Sequence, residues 1–175
     1  MYISKQDMTQ TMLKEYFDYF PDTGHLVWKK KSGRKVVVGN RAGSVAKRSN
    51  HRVINFCGCV WAEHRLIWLW WYGEHPKYHI DHINHNELDN RIENLRDVPQ
   101  AINNMNISFK STNTTGVMGV WITKTNGSKK FCAEISCAGV RKRKCFSTFE
   151  EATTQRKLWE TELGFHENHG IAKPQ

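Results

Sequence analysis

The stretch His79-Ile80-Asp81-His82-Ile83-Asn84-His85-Asn86-Glu87-Leu88-Asp89-Asn90-Arg91-Ile92-Glu93-Asn94-Leu95-Arg96-Asp97-Val98, continued by PQAINNMN over 99–106, decides the fold. Residues 78–82 predict a short strand, 83–93 a loop rich in Asn and Asp, and 94–98 a second strand. Pro99 suits the first position of a helix reaching about residue 107. In that strand–loop–strand–helix order Asp81, His82, Asn94 and Asn103 fall where a metal site needs them. A neutral imidazole takes a proton from water near neutral pH. Carboxylate and amide oxygens are hard ligands suited to Mg2+ or Mn2+. A metal there would neutralise charge on a scissile phosphate. A histidine base also needs an acceptor on its other nitrogen, which Asn94 can supply through its side-chain or backbone carbonyl. Asn and Asp equally fill loops and cap helices. With 9 His in a chain this rich in Asn, the spacing alone is unspecific, and the surrounding elements give it weight.

Upstream, residues 64–72 predict a helix that is apolar nearly all round, closed by Gly73, and the main core element. His64 at its head reads as a structural hydrogen-bonder, and Arg65 reaches a phosphate or pairs with Glu63 or another nearby acid. Residues 52–56 and 60–62 predict paired strands around Cys57-Gly58-Cys59, and 25–28 another strand. Met12, Leu13, Tyr16, Phe17 and Phe20 recur at helical spacing, so residues 6–20 predict a helix ended by Pro21. Downstream, 110–116 is small and polar and reads as a linker. Strands follow at 117–124, 129–136 and 140–146, then a helix over 149–163. Thr148 and Glu151 form a capping-box pattern, with Gly164 as the stop and a loose tail beyond.

The chain has 175 residues with 26 Lys+Arg against 17 Asp+Glu, a formal charge of +9. The charge is unevenly placed. Residues 24–52 carry nine cations and no acid, and residues 110–144 carry eight cations against Glu134. Such blocks point to a polyanion such as nucleic acid. No apolar run approaches the roughly 18–20 residues of a membrane span. The N-terminus lacks a secretion pattern, so a cytoplasmic location and five reduced cysteines are expected. Cys57-x-Cys59 with no second close pair is poor zinc spacing.

Residues 64–106 resemble the HNH endonucleases, particularly those of phage mobile genes. The shared pieces are His64-Arg65-Leu66-Ile67-Trp68, Gly73-Glu74 with Pro76, Ile80-Asp81-His82-Ile83-Asn84, Asp89-Asn90-Arg91 and Glu93-Asn94-Leu95-Arg96. The resemblance implies a ββα-metal (His-Me finger) nuclease lobe. It makes His82 the general base, Asn94 its orienting residue, and Asp81 and Asn103 ligands of one divalent metal. Asn in place of the final His favours Mg2+ or Mn2+ over zinc. His85 and Asn104 stand beside these positions as further candidates. Residues 116–163 resemble the APETALA-type DNA-binding domain of plant ethylene-response factors, through Gly119-Val120-Trp121, Lys130-Phe131-Cys132-Ala133-Glu134-Ile135 and Ser147-Thr148-Phe149-Glu150-Glu151-Ala152.

Alternation places Val120, Ile122, Phe131, Ala133 and Ile135 on a face packed against the helix through Ala152, Leu158 and Trp159. The open face presents Trp121, Thr123, Lys130, Cys132, Glu134, Ser136, Arg141, Arg143 and Cys145. Arg there reads guanine and Glu accepts from cytosine. The resulting expectation is an α+β protein. It has a nuclease domain over 1–110, and over 111–175 a three-stranded antiparallel sheet packed on one helix. It would be a metal-dependent endonuclease of double-stranded DNA, acting as a monomer or homodimer, with a homing role in a phage. Arg65, Lys30, Arg34 and Arg48 join the open-face residues as DNA contacts. The alternative is a DNA-binding regulator with a degenerate nuclease lobe.

Overall fold

The computed structural model describes residues 4, 6–108, 113–125 and 127–171. Two compact units divide it, Met1–Val98 and Pro99–Gln175. In the first, Thr9 caps helix α1 (Gln10–Tyr16) by accepting from the Met12 N–H. The helix expected to reach residue 20 stops at 16. Phe17–Phe20 forms strand β1, antiparallel to β2 (His25–Trp28). Both periods are present in these residues. Phe17 and Tyr19 are buried while Asp18 and Phe20 are exposed, a period of two. Pairing with β2 and packing of Phe17 on Trp28 and Phe56 override the helical spacing.

Strands β3 (Ser44–Val45), β4 (Arg52–Phe56) and β5 (Cys59–Ala62) form an antiparallel sheet in that order. The β4–β5 turn has φ of 51° at Cys57 and 79° at Gly58, a backbone that matches the twist of a tight hairpin. Helix α2 (Glu63–Tyr72) follows directly and ends at Gly73, whose φ of 80° glycine adopts without strain. It is apolar all round but buried on one side only. Leu66, Ile67 and Leu69 join Leu13, Phe17, Leu26, Ile54 and Phe56 in the core, whereas Trp71 and Tyr72 are exposed. Strands β6 (His79–His82) and β7 (Leu95–Val98) pair antiparallel, with Asp81 opposite Arg96 and His82 opposite Leu95.

The β1–β2 turn presses on the β6–β7 loop. Gly24 has φ of +69°, and a Cβ there would run into the backbone of Asn90 and Arg91. Gly24→Ala is therefore expected to destabilise the first unit by more than about 1 kcal/mol, since neither backbone can yield cheaply. Chemical denaturation followed by tryptophan fluorescence measures it.

In the second unit, Pro99 is the N-cap of α3 (Gln100–Asn103) rather than its first residue. The helix expected to reach 107 has four residues and tightens into a 3-10 turn at Asn104–Asn106. Asn is a poor helix former, and the chain here is drawn to the C-terminal segment. His166 N–H donates to Met105 O at 3.2 Å and Gly170 N–H to Ile107 O at 2.8 Å. Those bonds lie within the second unit, which begins at Pro99. They also show that 166–171 is tied down rather than loose. Of the expected linker, 110–112 lie outside the described residues. Asn113–Gly116 is a stitched turn, in which Asn113 Oδ1 accepts from the Thr115 and Gly116 amides. Of the expected tail, 172–175 also lie outside.

Strands β8 (Val120–Thr125), β9 (Ser128–Cys137) and β10 (Val140–Phe146) form an antiparallel sheet in the order β10-β9-β8. Helix α4 (Phe149–Glu162) packs on it, opened by the Thr148/Glu151 capping box. Val120, Ala133, Ile135, Ala152 and Trp159 make its core. Ile122 and Leu158, expected to pack, are 47% and 60% exposed, because the buried contacts gather around Val120, Ala152 and Trp159. The cysteines also differ from expectation. Cys132 and Cys145 sit opposite each other on β9 and β10 with Cα atoms 4.0 Å apart, and form a disulfide. Their separation of 13 residues carries no disulfide signal until the strand register is known. Cys132 faces the open side by register and is fully buried.

Candidate active site

His82 ends β6 and is 5% exposed; Asp81 before it is 7% exposed. The chain turns sharply after them. Ile83 N–H donates to Asn94 O, and His85 N–H to His82 O, with His85 at φ of 62°. His82 Nε2 lies 2.9 Å from Asn90 Oδ1. Asn90 Nδ2 donates to Glu63 Oε2 at 2.7 Å, which orients the amide with its oxygen toward His82. His82 therefore carries its proton on Nε2 and keeps Nδ1 as the basic nitrogen.

Glu63, the first residue of α2, is fully buried. Its carboxylate accepts from Arg41 Nη2 at 3.0 Å and from the Leu26 N–H at 3.4 Å, with Arg52 Nε 3.8 Å away. The relay His82–Asn90–Glu63 is thus anchored on two guanidinium groups. Strand β1 contributes Tyr19, whose hydroxyl donates to Asn90 O and accepts from the Ile92 N–H. Burial pushes that phenol up to about 12.

Asn94, expected to orient His82, spends its side chain on the loop. Its Oδ1 accepts from the Asn84 N–H and its Nδ2 donates to Asp89 O. Asp89 also receives Asn84 Nδ2 and a two-pronged contact from Arg91. The Arg91 guanidinium holds the Asp89 carboxyl below the usual range. The Asn- and Asp-rich loop is a self-stitched scaffold that presents Asn90. Asp81 Oδ2 receives Arg96 Nε at 2.8 Å and Nη2 at 2.7 Å. Asn103 closes α3 in the second unit, half-buried.

Two further histidines meet His82. The rings of His51, His64 and His82 have centroids 5.0–5.6 Å apart. Burial lowers His82 below the ordinary imidazole value; its Asn90 contact opposes that and His51 adds to it. Burial, with His82 and His51 beside it, pushes His64 down to about 3. His64, expected as a structural hydrogen-bonder, has no hydrogen-bond partner at its buried Nδ1.

The basic segment 24–52 is less free than its composition suggests. Arg41 and Arg52 serve Glu63, Lys29 pairs with Asp18, and Lys30 with Glu15. Lys31, Arg34, Lys35, Lys47 and Arg48 are exposed and form no ion pair among the described residues. Arg65 is half-buried and does not take Glu63, which Arg41 and Arg52 hold. On the open sheet face, Arg143 lies over the Trp121 ring at 5.0 Å and Arg141 grips both Glu134 oxygens at 3.0 Å. Thr123 stands opposite Lys130.

Sequence reasoning did not name Glu63, Arg41, His51 or Asn90 beside His82. An acid heading an otherwise apolar helix was the one signal for Glu63. No curated protein and no solved structure matches the chain. The stretch that holds the relay's Glu63, His82 and Asn90 is the stretch with a known counterpart: residues 62–105, about a quarter of the chain, match the family of HNH endonucleases.

Proposed function

We propose that this chain is a metal-dependent endonuclease that hydrolyses phosphodiester bonds in duplex DNA. The buried His82–Asn90–Glu63 relay, inside the residues that match HNH endonucleases, carries the reading. His82 Nδ1 takes a proton from water as that water attacks phosphorus. The bond to the 3′ oxygen breaks, giving 5′-phosphate and 3′-hydroxyl ends. Asn90 accepts the Nε2–H throughout, and the Glu63 carboxylate behind it favours the imidazolium that forms. Asp81, whose carboxylate oxygens are hard donors, would hold one Mg2+ or Mn2+, and Asn103 is the second ligand that the HNH resemblance implies. When bound, the ion neutralises charge on the scissile phosphate and stabilises the departing oxyanion.

Phosphate contacts come from Arg65 and from the exposed cations of the 24–52 segment, Arg34 and Arg48 among them, making affinity salt-sensitive. The second unit serves as the site reader in the manner of the APETALA-type domains, with Trp121, Thr123, Lys130, Glu134, Arg141 and Arg143 on its open face. The homing role in a phage mobile gene, in the host cytoplasm, belongs to the same proposal. Incubation with supercoiled plasmid tests it. Nicked or linear product is expected with Mg2+ or Mn2+ and none with EDTA. No cleavage with either ion leaves only the DNA-binding regulator.

Two further outcomes follow from the geometry. The base must be neutral to act, and His82 is held below the ordinary imidazole range, 6.5. The acid limb of the cleavage-rate profile is therefore expected to have its midpoint below pH 6.5. Initial rates between pH 5 and 8 measure it, and a midpoint above 6.5 contradicts a buried neutral base. Arg143→Ala is expected to weaken binding to a selected site by about 1–3 kcal/mol. Nicking of unrelated plasmid should stay unchanged. Equal losses on both substrates would make Arg143 a phosphate contact.

A further inference from the structure

We propose that His51, His64 and His82 form a three-imidazole site for a first-row transition ion such as Zn2+, and that filling it switches the nuclease off by capturing His82. The three rings arrive from separate elements. His51 directly precedes β4, His64 is the second residue of α2, and His82 ends β6. One candidate ligand nitrogen from each lies within 4.8 Å of the others. Tetrahedral zinc with bonds of about 2.0–2.1 Å sets ligand nitrogens roughly 3.3 Å apart. Closing the difference takes modest side-chain rotation, and half-buried His51 has the most room for it.

The second observation is the state of the rings. The Nδ1 atoms of His51 and His64 are buried and have no hydrogen-bond partner, although His64 is only 8% exposed. Buried polar atoms rarely lack a partner, and a metal ion supplies one without a proton. Three neutral imidazoles leaving a fourth position open suit Zn2+, Co2+ or Ni2+ far better than Mg2+, which takes oxygen ligands. The outer shell is also in place. His82 donates its Nε2–H to Asn90, which is held in turn by Glu63, as ligand histidines are commonly oriented.

The inhibitory half rests on His82 being the base of the proposed nuclease. An ion held by the His82 imidazole takes the nitrogen through which that ring would act as base. Donor chemistry then separates two ions by function: oxygen-bound Mg2+ supports cleavage, while nitrogen-bound Zn2+ prevents it.

Co2+ is the probe, since its visible absorption intensifies on four-coordinate nitrogen ligation. The full chain in excess Mg2+ is expected to bind one Co2+, displaced by Zn2+. His51→Ala and His64→Ala should each weaken binding more than about tenfold. His51→Ala guards against misfolding, since His51 is the least buried of the three. A double Cys57→Ala/Cys59→Ala variant should bind as the parent does. Unchanged Co2+ affinity in His51→Ala, or loss in the cysteine variant instead, overturns the site. In the cleavage arm, Zn2+ should stop Mg2+-supported nicking, a chelator selective for transition ions should restore it, and His51→Ala should need at least tenfold more Zn2+. Nicking that persists at saturating Zn2+ overturns the switch. Co2+ binding at the histidines in a chain that cuts no DNA overturns the nuclease reading and upholds the site.

Discussion

Cleavage of supercoiled plasmid is expected to fall by at least about a hundredfold, and up to about ten-thousandfold, when His82 is replaced by alanine. DNA affinity should hold, because His82 is buried and faces the Asn90 relay rather than the exposed cations that would meet phosphate. A competing base lies close by. His85 is also buried, and its backbone takes a left-handed turn that returns its N–H to His82 O. If His85 were the base, His82→Ala would keep most activity and His85→Ala would lose it. The hydrogen-bond order favours His82, the ring whose Nε2 is matched to an acceptor already oriented by a carboxylate. Asn90→Ala should show a smaller loss, about 10- to 100-fold, and Asn94→Ala should act through the loop rather than the ring. Gel quantification of nicked plasmid, beside filter-binding affinities, separates chemistry from binding. Unchanged cleavage in His82→Ala would sink the base assignment.

The fold was legible where one physical signal dominated. The β6–β7 hairpin, the β4–β5 turn and the capping box of α4 each rest on local chemistry that needs no partner. Phe17–Phe20 misled because its apolar residues satisfy both periods, and only the β2 ladder decides between them. The Cys132–Cys145 disulfide was hidden because register across a hairpin sets it. The site divides in the same way. His82 and Asp81 sit in one motif and could be named from it. The relay behind His82 joins residues 63, 82 and 90, and residue 41 behind those, so no spacing rule connects them. Charge counting could not sort the individual cations for a related reason. Arg41 and Arg52 belong to the same run of cations as Arg34 and Arg48, yet a buried glutamate outside the run claims them.

That glutamate predicts the largest stability effect. Glu63→Ala is expected to cost about 3–5 kcal/mol, the usual result of removing one partner from a buried ion pair. Glu63 is fully buried and meets Arg41, Arg52, Asn90 and the Leu26 N–H at once. Truncation strands all of them. Burial and Arg41 already lower Arg52 from the ordinary guanidinium range, and Glu63 is the group opposing them. Without Glu63, two guanidinium groups would face each other with no anion between. The melting temperature should drop by more than about 10 °C. Glu63→Gln keeps a hydrogen-bond acceptor and the side-chain volume, so it should lose less stability. It removes the negative charge behind Asn90, however, so it should lose activity out of proportion to its stability. Thermal melts by circular dichroism and cleavage rates taken well below each variant's melting point test the two effects separately. If Glu63→Gln cleaves like the parent, the carboxylate only holds the fold and contributes nothing to His82.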